Sequence, residues 1–270
     1  MAVQLSAWES HRWKFLLAEK LGDFVASITL NRPEVRNAFH SAMVEEWLAC
    51  FTLLADEPQV RAVVISGAGG SFCAGADLKE RNALDVQAWH AQHRLFDRAF
   101  EALRSLPMMT IAAVEGAAMG GGFELALACD LMVAAEGARF AFPEVKRGLI
   151  PGEGGTQVLA RRVGPGRAKL YLASGRTIDA EEAERMGIAD LYAPAGKAVE
   201  VARGLADEIV VNAPLAVAQA KRAVDLGLGL PLAEGVAIER ELYRPLVDTQ
   251  DRREGVRAFV EKRAPQFVGH

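Results

Sequence analysis

The sequence lacks the features that mark several large classes of protein. The net charge is only -4 over 270 residues, which argues against nucleic acid as the main partner. The three cysteines are odd in number and lack the spacing of a metal site, so we expect reduced thiols. No apolar run is long enough to span a membrane, and the first residues lack the apolar core of a signal peptide. These absences predict a cytoplasmic protein with no membrane partner.

Several catalytic and cofactor motifs are missing as well. Without a Gly-x-Ser-x-Gly sequence, a serine triad has little support. The glycine loop that begins at Gly67 is similar to a dinucleotide fingerprint, but Phe72 stands at the third glycine position and we expect no helix to open there, which excludes that reading. His90 and His93 are the two histidines close together, and their spacing in a polar helix favours a solvated face over a metal site. We therefore expect neither a metal nor a redox cofactor.

Half of the residues are apolar, so the chain can bury a sizeable core. Strands, helices and glycine loops alternate from residue 24 to residue 160, which indicates an α/β fold. The patterns predict strands over 24–30, 60–66, 110–114, 131–135, 138–142 and 189–192. They predict helices over 41–54 (with Ser41 as the N-cap), 83–106, 123–129 and 179–186, and a further helix that the glycine loop 148–157 opens and that runs through Ala160. Helices follow, separated at Pro214, at 227–231 and near Asp248. We expect a core over 1–195 and a helical part over 196–270.

The glycine run 120–122 is the stretch around which we expect the chain to be organised. It connects a buried strand to an apolar helix. Glycine permits positive φ and a close approach of the backbone to a ligand, and the free N–H groups of a helix start favour negative charge. Such a turn can hold an oxyanion, although it can also serve only to pack a helix tightly. Gly75 marks a second tight turn of this kind.

Two carboxylates interrupt the apolar segments near these turns. Glu124 follows the glycine run by two residues, and Glu144 comes directly after Pro143. A carboxyl group in apolar surroundings has a raised pKa and can act as a general acid or base near neutral pH. The alternative for Glu124 is a purely structural role at the start of a helix.

Five segments, in this order and at this spacing, resemble the crotonase (enoyl-CoA hydratase/isomerase) superfamily. They are LNRPEVRNAF (30–39), SFCAGADLKE (71–80), EGAAMGGGFELALACD (115–130), ARFAFPEVKRGLIPGEGGTQ (138–157) and DRREGVRAFVEKRAPQF (251–267). The resemblance implies a spiral of repeated ββα units with a helical C-terminal trimerisation part. It also implies a coenzyme A thioester as ligand and a homotrimer or homohexamer.

The resemblance assigns roles to particular residues. It implies that the N–H groups of Ala76 and Gly121 form the oxyanion hole and that Gly152 lies beside the reacting water. Glu124 is then the base that activates the water, and Glu144 delivers a proton to the α-carbon. Further residues are similar in position to those that bind the acyl-CoA in the family: Arg36, Ala74, Asp77, Leu78, Lys79 and Gly120 within one subunit, and Phe259 and Lys262 towards a neighbouring one. Lys79 and Lys262 can equally be ordinary surface lysines.

One residue departs from the family pattern and keeps alternatives open. Glu153 stands where the family usually has a small residue. A third buried carboxylate is costly, so we expect Glu153 to point outward, where it complements a helix start. If it faced the acyl pocket, it would favour a polar acyl group or a different reaction. Both family glutamates are present, which favours an enoyl-CoA hydratase. The alternatives are an isomerase, a hydratase for a branched, cyclic or aromatic acyl-CoA, and a non-catalytic scaffold or RNA-binding member of the fold.

Overall fold

A largely parallel sheet carries most of the strands that the sequence predicts. The computed structural model describes residues 6–270. Its strands are β1 (Leu16–Lys20), β2 (Val25–Leu30), β3 (Ala62–Gly67), β4 (Met109–Val114), β5 (Ala117–Met119), β6 (Leu131–Ala135), β7 (Arg139–Ala141), β8 (Ile178–Asp179) and β9 (Leu191–Ala193). The large sheet has the order β1-β2-β3-β4-β6-β9, and all pairs are parallel except β1 with β2. A small sheet has the order β5-β7-β8.

The helices connect and cover these strands. They are α1 (Ala7–Ser10), α2 (Ser41–Ala55), α3 (Leu78–Asn82), α4 (Val86–Arg104), α5 (Gly121–Ala128), α6 (Gly155–Val163), α7 (Pro165–Ser174), α8 (Ala180–Arg185), α9 (Ala198–Val210), α10 (Pro214–Gly227), α11 (Leu232–Tyr243) and α12 (Gln250–Glu261). The predicted α/β class is confirmed, as are the existence and type of the predicted strands and helices. The sequence does not predict the short strands β1, β5 and β8 or the helices α1, α3 and α7.

The central strands are buried on both faces, which is why they read as continuous apolar runs. Side chains of a strand alternate between its faces. Accordingly Val64 and Ile111 belong to the cluster under α9, while Val63 and Ala112 belong to the main core on the opposite face. The large sheet therefore separates two apolar layers. The loops described below follow its strands β3 and β4.

Two local predictions are wrong at the ends of helices. Ser41 is the first residue of α2, and the cap is His40, whose Nδ1 accepts a hydrogen bond from the N–H of Met43 at 3.1 Å. A helix does open after the first glycine loop: α3 begins at Leu78 and is capped by the carboxylate of Asp77. The dinucleotide reading still fails, because Phe72 is fully buried in the core at the position that requires a glycine.

The C-terminal helices are tied to the core by a buried lysine. Lys221 on α10 donates hydrogen bonds from Nζ to the carbonyl oxygens of Leu106 and Met108, at 2.8 and 3.1 Å. The same amine forms an ion pair with Asp130 at 2.8 Å, and its side chain is only 5% exposed. Helix α9 covers one face of the large sheet. The division at residue 195 stays a prediction.

The later helices leave many large apolar side chains exposed, among them Leu228, Leu232, Tyr243, Phe259 and Val260. The chain end folds back on α12, where the buried carboxylate of Asp251 accepts hydrogen bonds from the N–H groups of Val268 and Gly269. Over residues 6–270, no helix is both long enough and apolar enough to cross a membrane.

Candidate active site

The two glycine turns that the sequence singles out lie against each other. Gly75 and Gly120 both have positive φ, at 93° and 54°. A Cβ added to Gly75 would lie 2.6 Å from the carbonyl oxygen of Met119, and one added to Gly122 would lie 2.2 Å from that of Cys73. Real Cβ atoms do not approach backbone so closely, so glycine is required at both positions.

A short parallel ladder holds the two turns in register. The N–H of Cys73 donates to the carbonyl oxygen of Ala117, and the N–H of Met119 donates to that of Cys73, both at 2.9 Å. On the other side, the loop before α2 pairs with the first turn, since the N–H of Phe39 donates to Gly75 at 2.9 Å. These backbone hydrogen bonds fix the distance between the turn at Gly75 and the start of α5.

Two backbone N–H groups at this junction have no acceptor. Within residues 6–270, neither the N–H of Ala76 nor that of Gly121 donates a hydrogen bond to protein. They are close together, because a Cβ on Gly121 would lie 3.9 Å from the nitrogen of Ala76. Unpaired donors that converge at the wall of a cavity are suited to hold an oxygen on which negative charge develops.

Glu124 lies in the first turn of α5 and is only 4% exposed. Its Oε1 accepts hydrogen bonds from the N–H groups of Glu153 and Gly155, at 2.7 and 2.9 Å. Burial raises the pKa of this carboxyl group, and the backbone donors of Gly155, Glu153 and Gly152 oppose that rise. The side chain is thus fixed by the loop before α6, and the same donors favour its ionised form.

Glu144 begins a short 3-10 helix, Glu144–Arg147, which is separated from the end of β7 by two residues. One carboxylate oxygen lies over the second glycine turn, 2.8 Å from where a Cβ on Gly120 would be. The other, Oε2, is buried and has no hydrogen-bond partner among the residues that the structure describes. Burial, followed by the neighbouring Glu124, raises the pKa of Glu144 to about 7. This carboxyl group can therefore carry or release a proton at neutral pH.

Glu153 does not point outward, and that expectation is wrong. Its side chain is only 6% exposed and lines the same cavity as Glu124 and Glu144. The backbone causes this orientation: its N–H is bound by Glu124, and its carbonyl oxygen accepts a hydrogen bond from the guanidinium of Arg104. Burial, and then the charge of Glu124, raise the pKa of Glu153 to about 8. With this pKa the group is mainly protonated at neutral pH, so the cavity holds a neutral carboxyl group here and not a third buried charge.

His93 contributes to the cavity wall, although its side chain is still 38% exposed, whereas His90 is exposed and does not line the cavity. Its Nδ1 is 3.2 Å from Oε1 of Glu153, yet the contact lacks hydrogen-bond geometry and both atoms remain unpaired within residues 6–270. Donor atoms of His93, Asp97 and Glu153 lie within 4.8 Å of one another, so this group is the place where a divalent cation would fit. The prediction that no metal is needed stays untested.

The cavity has a volume of about 740 Å³, enough for the acyl part of a thioester. Apolar side chains form much of its wall, and the polar groups converge on the glycine turns. The apolar lining includes Phe39, Leu78, Trp89, Phe96, Met119, Leu149 and Ile150.

Comparison with known proteins places this site in a family. The family model "Enoyl-CoA hydratase/isomerase" matches residues 21–270. The chain belongs to the enoyl-CoA hydratase/isomerase family. It is 39% identical to the enoyl-CoA isomerase/hydratase fer4 of Mycosarcoma maydis over 254 residues, which are 91% of this chain and 93% of that protein. It is 42% identical to the human mitochondrial enoyl-CoA hydratase domain-containing protein 2 over 250 residues, covering 91% and 86%.

A solved structure gives the same result for the fold. The crystal structure of an enoyl-CoA hydratase from Bacillus anthracis superposes with a TM-score of 0.93 at 38% identity, covering 95% of this chain and all of the other. The chain therefore has the crotonase fold that the resemblance implied, with its helical C-terminal region.

The residues expected to bind the acyl-CoA, together with Gly152, which is expected beside the reacting water, divide into two groups. Ala74, Ala76, Leu78, Gly120 and Gly152 line the cavity. Arg36, Asp77, Lys79, Phe259 and Lys262 do not.

The second group has identifiable structural surroundings. The carboxylate of Asp77 caps α3 and pairs with Arg32 at 3.2 Å, which gives it a structural role. Arg36 and Lys79 are exposed next to residues of the cavity wall. The carbonyl oxygen of Arg36 accepts a hydrogen bond from the N–H of Ala74 at 2.9 Å, and Lys79 directly follows Leu78 in the chain. Phe259 and Lys262 are exposed on and just after α12. Their roles in binding stay predictions.

The sequence does not identify several residues of the cavity wall, among them Arg81, Trp89 and Phe96. Arg81 stacks its guanidinium over Trp89, 4.7 Å from the ring centre, and donates a hydrogen bond to Gln92 at 3.1 Å. Its charge faces all three cavity glutamates, and burial lowers its pKa. The sequence does indicate part of this wall, because the helical spacing of Trp89, His93 and Phe96 places their side chains on one face of α4.

Proposed function

We propose that the protein is an enoyl-CoA hydratase, which adds water across the 2,3 double bond of a trans-2-enoyl-CoA. One observation carries the proposal: Glu124 and Glu144 line a single cavity with the free N–H groups of Ala76 and Gly121. This combination supplies a base, an acid and an oxyanion site, which are the groups that conjugate addition of water requires.

In this mechanism the thioester oxygen accepts hydrogen bonds from Ala76 and Gly121. Glu124 takes a proton from water, and the hydroxide oxygen bonds to the β-carbon. The electrons of the double bond move towards the thioester, and the resulting enolate charge is held by the two N–H groups, each worth on the order of 3 kcal/mol of barrier. Glu144 then protonates the α-carbon, and a proton passes from Glu124 back to Glu144. One water molecule is consumed, and neither a metal nor a cofactor takes part.

The test uses glutamine variants and a series of trans-2-enoyl-CoAs of rising chain length. Loss of the conjugated enoyl-thioester absorbance measures hydration. Glu124→Gln and Glu144→Gln should each lower kcat/KM by a factor on the order of 100 to 10,000. The matched control is Glu136→Gln, since Glu136 is exposed. Wild-type rates in either active-site variant would refute the assignment.

A second activity, enoyl-CoA isomerisation, is favoured by the pKa of Glu144. A single carboxyl group with a pKa of about 7 can remove a proton from one carbon of a 3-enoyl thioester and return it to another. Glu124→Gln discriminates the two activities: an isomerase keeps converting 3-enoyl-CoA in this variant while hydration is lost. If the variant loses both activities together, the isomerase alternative is rejected.

We further propose a homotrimer or a dimer of trimers in the cytoplasm. The exposed apolar side chains of the C-terminal helices support assembly. The cysteines at 50, 73 and 129 are buried and unpaired, which fits a reducing compartment. Light scattering coupled to size-exclusion chromatography measures the mass of the assembly, and a monomer would contradict this part of the proposal.

A further inference from the structure

Glu153 presents a polar group to the acyl cavity without a partner for it. The residue is 93% buried, and Oε1 has no hydrogen-bond partner within residues 6–270. Its backbone is held on both sides, because its N–H donates to Oε1 of Glu124 and its carbonyl oxygen accepts from Arg104, and these two bonds fix the position from which the side chain starts. A buried polar atom that is left unpaired calls for an explanation, and a ligand group is one.

His93 presents a second unpaired atom at the same place. Its Nδ1 is buried and lies 3.2 Å from the carboxyl group of Glu153. The ring fits there because Gly152 has no side chain: a Cβ on that glycine would lie 2.7 Å from Cε1 of His93. Trp89 and Phe96, from the same helix, make the adjacent wall apolar. The two polar atoms thus form a small hydrogen-bonding patch in an apolar surface.

The surroundings decide the charge of the group that this patch would bind. Oε1 of Glu153 and Nδ1 of His93 lie only 3.2 Å apart. A carboxyl group and an imidazole nitrogen that face each other offer one donor and one acceptor between them, whichever of the two carries the proton. An anionic acyl group would lie in the same cavity as the carboxylate of Glu124, which acts as the base. A neutral group that both donates and accepts is the better match.

We propose that Glu153 and His93 form a specificity subsite for a hydroxyl group on the acyl chain, so that hydroxylated enoyl-CoAs are preferred over their alkyl counterparts. The inference rests on the proposed function, since it takes an acyl thioester to occupy the cavity. An alkyl chain would leave both polar atoms unpaired when water is displaced. We expect a preference on the order of tenfold to a hundredfold for the hydroxylated chain.

Binding of saturated thioesters tests the subsite independently of catalysis. Isothermal titration calorimetry compares hexanoyl-CoA with its derivatives hydroxylated at carbon four, five or six. The wild type should bind at least one derivative tenfold or more tightly than hexanoyl-CoA. The matching unsaturated series then reports kcat/KM, so that a failure of hydration is distinguished from a failure of the subsite.

Paired variants assign the preference to these two side chains. Glu153→Ala and His93→Ala should each reduce the preference to within about twofold of unity, while Glu153→Gln, which keeps a donor and an acceptor, should retain much of it. His90→Ala is the matched control, because His90 lies on the same helix but is exposed. Thermal denaturation verifies that each variant is folded.

Three outcomes would overturn the proposal. In the first, the wild type binds all four thioesters equally. In the second, the preference persists in both Glu153→Ala and His93→Ala. In the third, the preference is abolished by EDTA, which would mean that a cation held by His93, Asp97 and Glu153 binds the hydroxyl group instead.

Discussion

Replacing Glu153 by glutamine should stabilise the protein, and the gain should depend on pH. The folded protein keeps this side chain 6% exposed, beside the carboxylate of Glu124. Burial and that charge raise the pKa of Glu153 from an ordinary value of 4.5 to about 8. Glutamine has nearly the same shape and similar hydrogen-bonding groups but cannot ionise. The variant therefore removes the ionisation of this carboxyl group and changes little else.

The size of the effect follows from the two pKa values. Because the folded-state pKa is the higher one, the folded protein binds more protons than the unfolded chain between pH 4.5 and 8, and stability falls as the pH rises through that window. One pKa unit corresponds to about 1.4 kcal/mol. The carboxyl group therefore lowers the free energy of unfolding by less than about 1 kcal/mol at pH 5, about 3 kcal/mol at pH 7 and about 5 kcal/mol above pH 8.

Urea denaturation at pH 5, 7 and 8.5 measures the difference between wild type and Glu153→Gln. The gain in free energy of unfolding should rise with pH over these three points, as worked out above. Glu136→Gln serves as the control, and its exposed position predicts no such pH-dependent gain. A gain that is the same at all three pH values, or a loss of stability that grows with pH, would show that Glu153 is not a buried, protonated carboxyl group.

Three further predictions concern the reaction and the scaffold. If Glu144 must be protonated to act as the acid, kcat/KM should fall about tenfold per pH unit above about 7, and a flat profile up to pH 9 would exclude that role. Gly122→Ala should lower kcat/KM at least about a hundredfold by forcing the two glycine turns apart, whereas Gly204→Ala, where a Cβ has open space, should leave it unchanged; equal rates would contradict the contact. Lys221→Met should lower the free energy of unfolding by about 3 kcal/mol, because it leaves the carboxylate it neutralises uncompensated. The control Arg222→Met is exposed and should cost less than about 0.5 kcal/mol, so similar losses in both variants would argue against the buried ion pair.

Local sequence patterns predict those structural features that depend only on neighbouring residues, such as a strand or a helix cap. The apolar run of β4 predicts a strand buried on both faces, and that strand lies in the middle of the large sheet. Asp179 predicts the start of α8, and its carboxylate accepts the N–H of Glu182 as expected of a cap. The cap of α2 was misassigned by one residue, because a histidine ring nitrogen takes the place that a serine hydroxyl usually fills.

Local sequence patterns do not predict the direction of the Glu153 side chain. An acidic residue just before a helix ordinarily faces water and complements the helix dipole. Here the N–H of the same residue is bound by Glu124, nearly thirty positions earlier in the chain, and that distant contact turns the side chain inward. The protonation that makes the burial tolerable is likewise a consequence of the cavity and of the neighbouring charge.

The sequence by itself determined the α/β class, the glycine turns, and the two glutamates whose chemistry the site needs. Backbone preferences and apolar periodicity act over a few residues, so they can be read from the chain directly. Only the tertiary structure decided that the turns at Gly75 and Gly120 touch, and that Glu153 and His93 share the cavity with Glu124. Those relations depend on contacts between segments far apart in the chain, where the position of each backbone is set by the packing of the whole sheet.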